Sequence, residues 1–190
     1  MPRKRSDGSD CRQRALATCV GRAKGKGGMH VPDHARKGLG TLVGNAGEYF
    51  VVAELLRREW VAALAPRNAP AFDVLATREA RTLRLRVKTR SAAKADKWQW
   101  TAKADWTIFP ELGDADDDFT VLVTLPEDPR ERPTYHVLPT ALVDSRLRWR
   151  QAEFEKRGGS PTNRHRCLIL KEDADWLAEY EDAWDGLWVP

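Results

Sequence analysis

The chain has no long hydrophobic run and little cysteine. Nowhere in its 190 residues is there an apolar stretch approaching the roughly 18 residues of a membrane span. The N-terminus lacks the apolar segment of a secretory signal. Three cysteines, Cys11, Cys19 and Cys167, are an odd and sparse set, which argues against a disulfide framework and for a reducing, cytoplasmic setting. No internal repeat is present. These absences exclude spanning, disulfide-stapled and solenoid classes. With 42% hydrophobic residues, the chain has enough apolar material for one domain with a proper core.

Charge is unevenly spread. Residues 1–38 hold ten Lys/Arg and three Asp, a net +7, which leaves −3 for the rest of a chain whose total is +4. That segment is rich in Gly, Lys, Arg and Ser and cannot bury enough surface to offset its ordering entropy. It reads as a disordered basic arm preceding a domain at 39–190. An alternative start at Met29 would make the first 28 residues an upstream extension. A basic arm on a mildly acidic body favours a polyanionic partner.

The first regular element is a helix from about Thr41 to Trp60. Leu42, Ala46, Tyr49, Ala53, Leu56 and Trp60 recur at spacings of four and three, one continuous apolar stripe. Thr41 or Asn45 suits its N-cap, and Glu48 lies beside Val52 and Leu55. Short strands follow at Val61–Leu64, Phe72–Thr77 and Thr82–Thr89, with Lys97–Thr101 and Trp106–Phe109 as weaker candidates. Strand patterning returns at Phe119–Leu125 and Tyr135–Leu138, after an acidic loop at Glu111–Asp118. A helix is expected over Thr140–Lys156, a strand over Arg166–Leu170 and a helix over Asp173–Leu187. The order of helix, strands, then helices predicts an α+β fold with a mixed central sheet flanked by helices.

The centre carries the chemistry. Phe72–Thr77 and Thr82–Thr89 are joined at hairpin length. In the second, Leu83, Leu85 and Val87 alternate with Arg84, Arg86 and Lys88. If Thr77 pairs with Thr82, Asp73 stands opposite Arg86, with Lys88 two residues further on the same face. Hydrolysing a phosphodiester needs an activated water and charge neutralisation, which a hard cation on carboxylates supplies. A nearby lysine can orient the water. The bland reading of Asp73 and Arg86 is a cross-strand ion pair on a solvated face.

Here the chain resembles the PD-(D/E)xK nuclease superfamily, of the small intron-homing and junction-resolving type. The matching pieces are Gly47-Glu48 on the first helix, Phe72-Asp73-Val74-Leu75, Arg86-Val87-Lys88-Thr89, and Tyr135-His136-Val137-Leu138-Pro139 leading into a helix. The resemblance implies a restriction-endonuclease-like sheet and Mg²⁺-dependent (or Mn²⁺-dependent) endonucleolytic cleavage of DNA. It implies Asp73 as metal ligand, Lys88 as catalytic lysine, Glu48 as supporting acid, and the Val87 carbonyl as a further ligand. Phe72 replaces the usual proline. Arg86 stands where the family has Glu or Gln, and an arginine cannot ligate a cation. Three readings follow: an active site with Arg86 on phosphate or on Asp73, a migrated acid such as Glu54, or a catalytically inactive DNA-binding module on the same fold.

Arg84, Arg86, Arg90, Lys94 and Lys97 are the candidate nucleic-acid contacts, with Trp98 and Trp100 interleaved either as stacking surfaces or as core. Cys11, Cys19, His30 and His34 are zinc-type residues at an unhelpful spacing. His136 reads as a satisfied sheet histidine. The Trp-rich C-terminal stretch reads either as docked on the domain or as a homodimer interface.

Overall fold

The computed structural model describes residues 38–66, 71–109, 112 and 116–188. The basic arm and its zinc-type residues lie outside the described residues. Helix α1 spans Leu39–Arg57, and strands β1 (Val61–Leu64), β2 (Val74–Arg78), β3 (Arg81–Ser91) and β4 (Lys97–Thr101) follow. Then come β5 (Asp118–Leu125), β6 (Thr134–Pro139), helix α2 (Thr140–Lys156), β7 (His165–Ile169), a short α3 (Ala174–Ala178) and a 3₁₀ turn at Trp184–Leu187.

The described strands form a five-stranded mixed sheet in the order β1-β2-β3-β5-β6, with β4 and β7 paired separately. Only β3 and β5 run parallel, with Arg86 beside Thr120 and Lys88 beside Leu122. The β2–β3 register pairs Thr77 with Thr82 and Val74 with Leu85, as the hairpin spacing predicts, but it does not continue to Asp73 and Arg86, because the Asp73 N–H donates to the Leu85 carbonyl. Helix α2 begins directly after Pro139, and the chain turns at Gly158 with a left-handed φ of 86°.

The sheet separates two cores. On one face Val51 and Leu55 of α1 pack on Leu83, Leu85, Val121 and Val123. On the other, Leu122 and Leu138 pack on Trp98, Leu168 and the α2 residues Val143 and Leu147. β5 is buried along almost its whole length because both faces are covered. Gly47 lets α1 come close to β3, since a Cβ there would collide with the Thr89 side chain.

Several expectations need correction. The periodic stripe of α1 is not the face that packs: Leu42, Tyr49, Ala53 and Leu56 are exposed, and Gly47, Val51 and Leu55 face the sheet. Both faces are apolar, so spacing alone selects the wrong one. The helix opens with Gly38 as N-cap, leaving Thr41 within the first turn. Trp60 leaves the stripe because Glu59, at φ 64°, turns the chain and drops the indole into the core. No strand forms at 106–109. There the Asp105 carboxylate accepts from the Thr107 N–H at 3.0 Å and from its hydroxyl at 2.7 Å, fixing a turn.

The C-terminal stretch is not one helix. Val137 N–H donates to the Tyr180 carbonyl at 2.9 Å, and Asp182 N–H to Tyr135 at 2.9 Å, so the chain runs along the β6 edge. Leu177 joins the α2-side core, while Trp184 and Leu187 join the α1-side core. These residues are docked on the domain. Among the described residues no helix is long and apolar enough to cross a membrane.

Candidate active site

The site forms where β2 and β3 part. Asp73 N–H donates to the Leu85 carbonyl at 2.9 Å, the last main-chain bond of that ladder. The next donor on β3, Val87 N–H, meets the Asp73 carboxylate, at 2.7 Å to Oδ2. A strand residue's N–H and C=O point to the same neighbour. The Val87 carbonyl therefore projects on the Asp73 side. Lys88 follows on the cleft wall, its Nζ 5.5 Å from the centre of the Trp100 ring.

Asp73, Arg86, Lys88, Trp100, Ile108 and Phe109 line a cleft of about 270 Å³. Burial pushes the Asp73 carboxyl above its ordinary range, outweighing the Val87 N–H and the charges of Arg86 and Lys88. Burial likewise pulls the Lys88 ammonium below its ordinary range, with Asp73 opposing in part. Both shifts favour neutral forms, the signature of a pair whose mutual attraction does not fully replace lost water.

Arg86 does something the hairpin geometry does not suggest. Its Nη2 is 3.0 Å from Asp118 Oδ2, with side chains 11% and 2% exposed. It also donates to the Ala71 carbonyl, and its guanidinium lies 5.5 Å from the Phe109 ring centre. Asp118, first residue of β5, accepts from the Thr140 hydroxyl at 2.7 Å and has Arg84 Nη2 at 3.7 Å. An acid buried beside the cleft thus compensates the Arg86 cation. Sequence reasoning placed Asp118 at the end of a solvated loop. The available signal was its position directly before a run of residues too apolar for any exposed strand.

The other candidates separate clearly. Arg90 is not a surface contact: it is 8% exposed, with Nε 3.0 Å from the Thr124 hydroxyl and Nη1 2.6 Å from the Ala95 carbonyl. Its guanidinium packs 4.9 Å from the Trp98 ring centre. Trp98 itself is core, its Nε1–H bonded to the Val123 carbonyl at 3.1 Å, whereas Trp100 is half-buried at the cleft. Lys94 and Lys97 are exposed, Lys97 beside a second groove with Arg150 and His165. Glu48 is half-buried on α1, on the opposite side of the sheet, and is not among the described residues lining the cleft. Glu54 is tied to Arg57 at 2.7 Å and Arg58 at 3.0 Å.

Among the described residues no three acidic, histidine or cysteine side chains converge as a metal cluster. The cleft nevertheless suits a hard cation that keeps most of its water. Mg²⁺ is commonly held by one or two carboxylates together with substrate phosphate. Asp73 and the Val87 carbonyl supply two oxygen donors on one side, and Asp118 offsets the charge of Arg86.

No protein-family model matches the sequence, and a search of curated proteins finds no relative. Among solved structures the chain is similar to Hjc, a Holliday junction resolvase from the archaeal hyperthermophile Archaeoglobus fulgidus. The identity is 16% and the TM-score 0.38, over 67% of this chain and 84% of that one. It is also similar to a bacterial homing endonuclease, I-Ssp6803I, at 15% identity and TM-score 0.44, over 76% of this chain and 89% of that one. Both likenesses lie at low identity, and neither bears on what the cleft does.

Proposed function

We propose that the cleft hydrolyses DNA phosphodiester bonds as a metal-dependent endonuclease working in the cytoplasm. The observation that carries this reading is the pairing of Asp73 and Lys88, half-buried side by side where two strands part, each displaced toward its neutral form.

In this reading Asp73 and the Val87 carbonyl would hold Mg²⁺ or Mn²⁺, and Glu48, on the far face of the sheet, takes no part. When bound, the cation supplies charge neutralisation on the phosphate and acidifies a water. The Val87 N–H fixes the carboxylate's orientation through Oδ2. Lys88, with its amine made easier to deprotonate by burial, orients the attacking water and accepts its proton. Trp100 and Phe109 exclude bulk water beside it. Arg86, held on Asp118, presents a fixed positive field at the cleft floor rather than a mobile phosphate clamp. Arg84, Lys94, Lys97 and the net +7 of residues 1–38 attract the polyanion without reading sequence.

The replacement of the second acid by Arg86 favours one other reading, a DNA-binding module without catalysis. Supercoiled plasmid separates the two. With Mg²⁺ or Mn²⁺ the wild type is expected to nick it, and Asp73→Ala and Lys88→Ala each to lose about 10³-fold in rate. A low-salt gel shift with no nicking under either metal establishes the binding module and sinks the enzyme.

A further inference from the structure

Among the described residues, none covers a second apolar face of helix α1. Leu42 is 64% exposed, Tyr49 64%, Phe50 43% and Leu56 54%. Four large apolar side chains on a helix already anchored through Gly47, Val51 and Leu55 are unusual for a solvated surface. The stripe has a definite form. Leu42, Ala46, Tyr49, Ala53 and Leu56 recur at four, three, four and three residues, the 3.5-residue period of a two-helix seam. It points away from the sheet, because residues 47, 51 and 55 occupy the opposite side of the helix.

The order of side chains selects the partner. From either end the seam reads Leu, Ala, Tyr, Ala, Leu. A two-fold axis through Tyr49 sets Leu42 against the partner's Leu56 and brings Ala46 within one residue's rise, about 1.5 Å, of level with the partner's Ala53. The alanines let two helices approach, and the leucines close the ends. Such a surface is complementary to itself, the requirement of an isologous contact. The area agrees. At roughly 200 Å² for each large side chain, the exposed fractions of Leu42, Tyr49 and Leu56, together with the flanking Phe50, amount to on the order of 450 Å² of mostly apolar surface. A standard interface of about 800 Å² per partner is a little over half apolar, so the stripe with Phe50 supplies the apolar share of one.

We propose that the chain forms a two-fold dimer through antiparallel packing of α1 on the α1 of a second copy. This goes beyond the cleavage reading and does not depend on it. The cleft lies on the other side of the sheet, so both clefts of the pair stay open to substrate.

Sedimentation of the full chain, under reducing conditions across micromolar concentrations, tests this. The wild type is expected at twice its 21.5 kDa chain mass. Tyr49→Glu sets two carboxylates face to face on the axis and is expected to weaken the dimer at least about 100-fold. Tyr49 is exposed, so the variant keeps its circular dichroism and melting transition. With Cys11, Cys19 and Cys167 changed to serine, Tyr49→Cys is expected to give one oxidised cross-linked species. A monomeric wild type, as when the chain's own N-terminal segment covers the stripe, overturns the proposal. So does a dimer indifferent to Tyr49→Glu, and failure of Tyr49→Cys to cross-link overturns the two-fold arrangement.

Discussion

The two faces of β3 solve opposite problems with one strand. On the α1 face Leu83, Leu85 and Val87 join a dry aliphatic core. On the other, Arg84, Arg86, Lys88 and Arg90 follow in register, and three of these are covered by an aromatic layer. Phe109 lies over Arg86, Trp100 over Lys88 and Trp98 over Arg90. A stripe of cations that would usually mark a solvated surface is here half-buried. Each cation then needs a partner, since burying charge without one costs several kcal/mol. Arg86 has Asp118, and Arg90 has the Thr124 hydroxyl and a carbonyl. Among the described residues the charge opposing the burial of Lys88 is that of nearby Asp73, and both groups stay displaced from their ordinary values. Chemistry is expected where compensation is incomplete, not where charge is most abundant.

The largest break in this comparison comes from removing a compensating acid. Asp118→Ala strips Arg86 of its carboxylate in a region with little access to water, and is expected to cost about 3–5 kcal/mol. That is a large share of a stability of roughly 5–15 kcal/mol. Urea denaturation reads the loss. The double variant Asp118→Leu with Arg86→Met is expected to recover most of it, because apolar groups of similar volume replace such pairs at little net cost. If Asp118→Ala melts with the wild type, Arg86 is hydrated in solution and the covered-stripe description fails.

This pair also marks the limit of what the sequence made legible. The hairpin register, the α2 boundaries and the mixed sheet follow from local rules: alternation, loop length, and a proline before a helix. The Arg86–Asp118 contact joins strands made adjacent by a parallel crossover spanning residues 92–117, and no local pattern encodes that adjacency. The same holds for α1. Its two apolar faces are equivalent to a periodicity argument, and the close approach of Gly47 to Thr89, with Val51 and Leu55 buried beside it, marks the one that meets the sheet. Asp73 and Lys88 were legible because a tight hairpin fixes their relation by itself. Glu48 depends on how a helix sits on a sheet, which composition does not specify.

A smaller effect sharpens the contrast between Lys88 and its arginine neighbours. Burial lowers the Lys88 pKa, so the ammonium's ionisation opposes folding. The contribution of Lys88 to stability is present above the unfolded-state pKa and is lost as pH falls through the lower folded-state value. Lys88→Met is therefore expected to gain stability relative to wild type on the acid side of that folded value. The gain should shrink toward alkaline pH, as read from thermal melts across pH. Cleavage carries the same titration with a sign of its own. If Lys88 accepts a proton from the attacking water, the rate should rise with pH to a plateau whose midpoint lies below the ordinary 10.5. Lys88→Arg, which does not deprotonate, should lose that limb along with the activity. A rate-pH profile whose limb is unchanged in Lys88→Arg assigns the titration elsewhere.

The smallest effect concerns cations that are not buried at all. Lys94 and Lys97 lie on exposed backbone beyond the end of β3 and along β4, without the aromatic cover given to Arg86, Lys88 and Arg90. Replacing either by alanine removes no packed surface, so stability should move by no more than about 0.5 kcal/mol. DNA affinity should still fall, and the fall should depend on salt. Each phosphate contact contributes about 0.9 to the slope of log K against log salt. Titrations of a short duplex at several ionic strengths, with wild type and Lys97→Ala, are therefore expected to differ in slope by about one. Arg90→Ala is the control that discriminates: its guanidinium is inside the fold, so it should lose stability and leave the salt slope unchanged. The reverse pattern, a slope carried by Arg90 and untouched by Lys97, would mean that DNA reaches the covered face and that the aromatic layer opens to admit it.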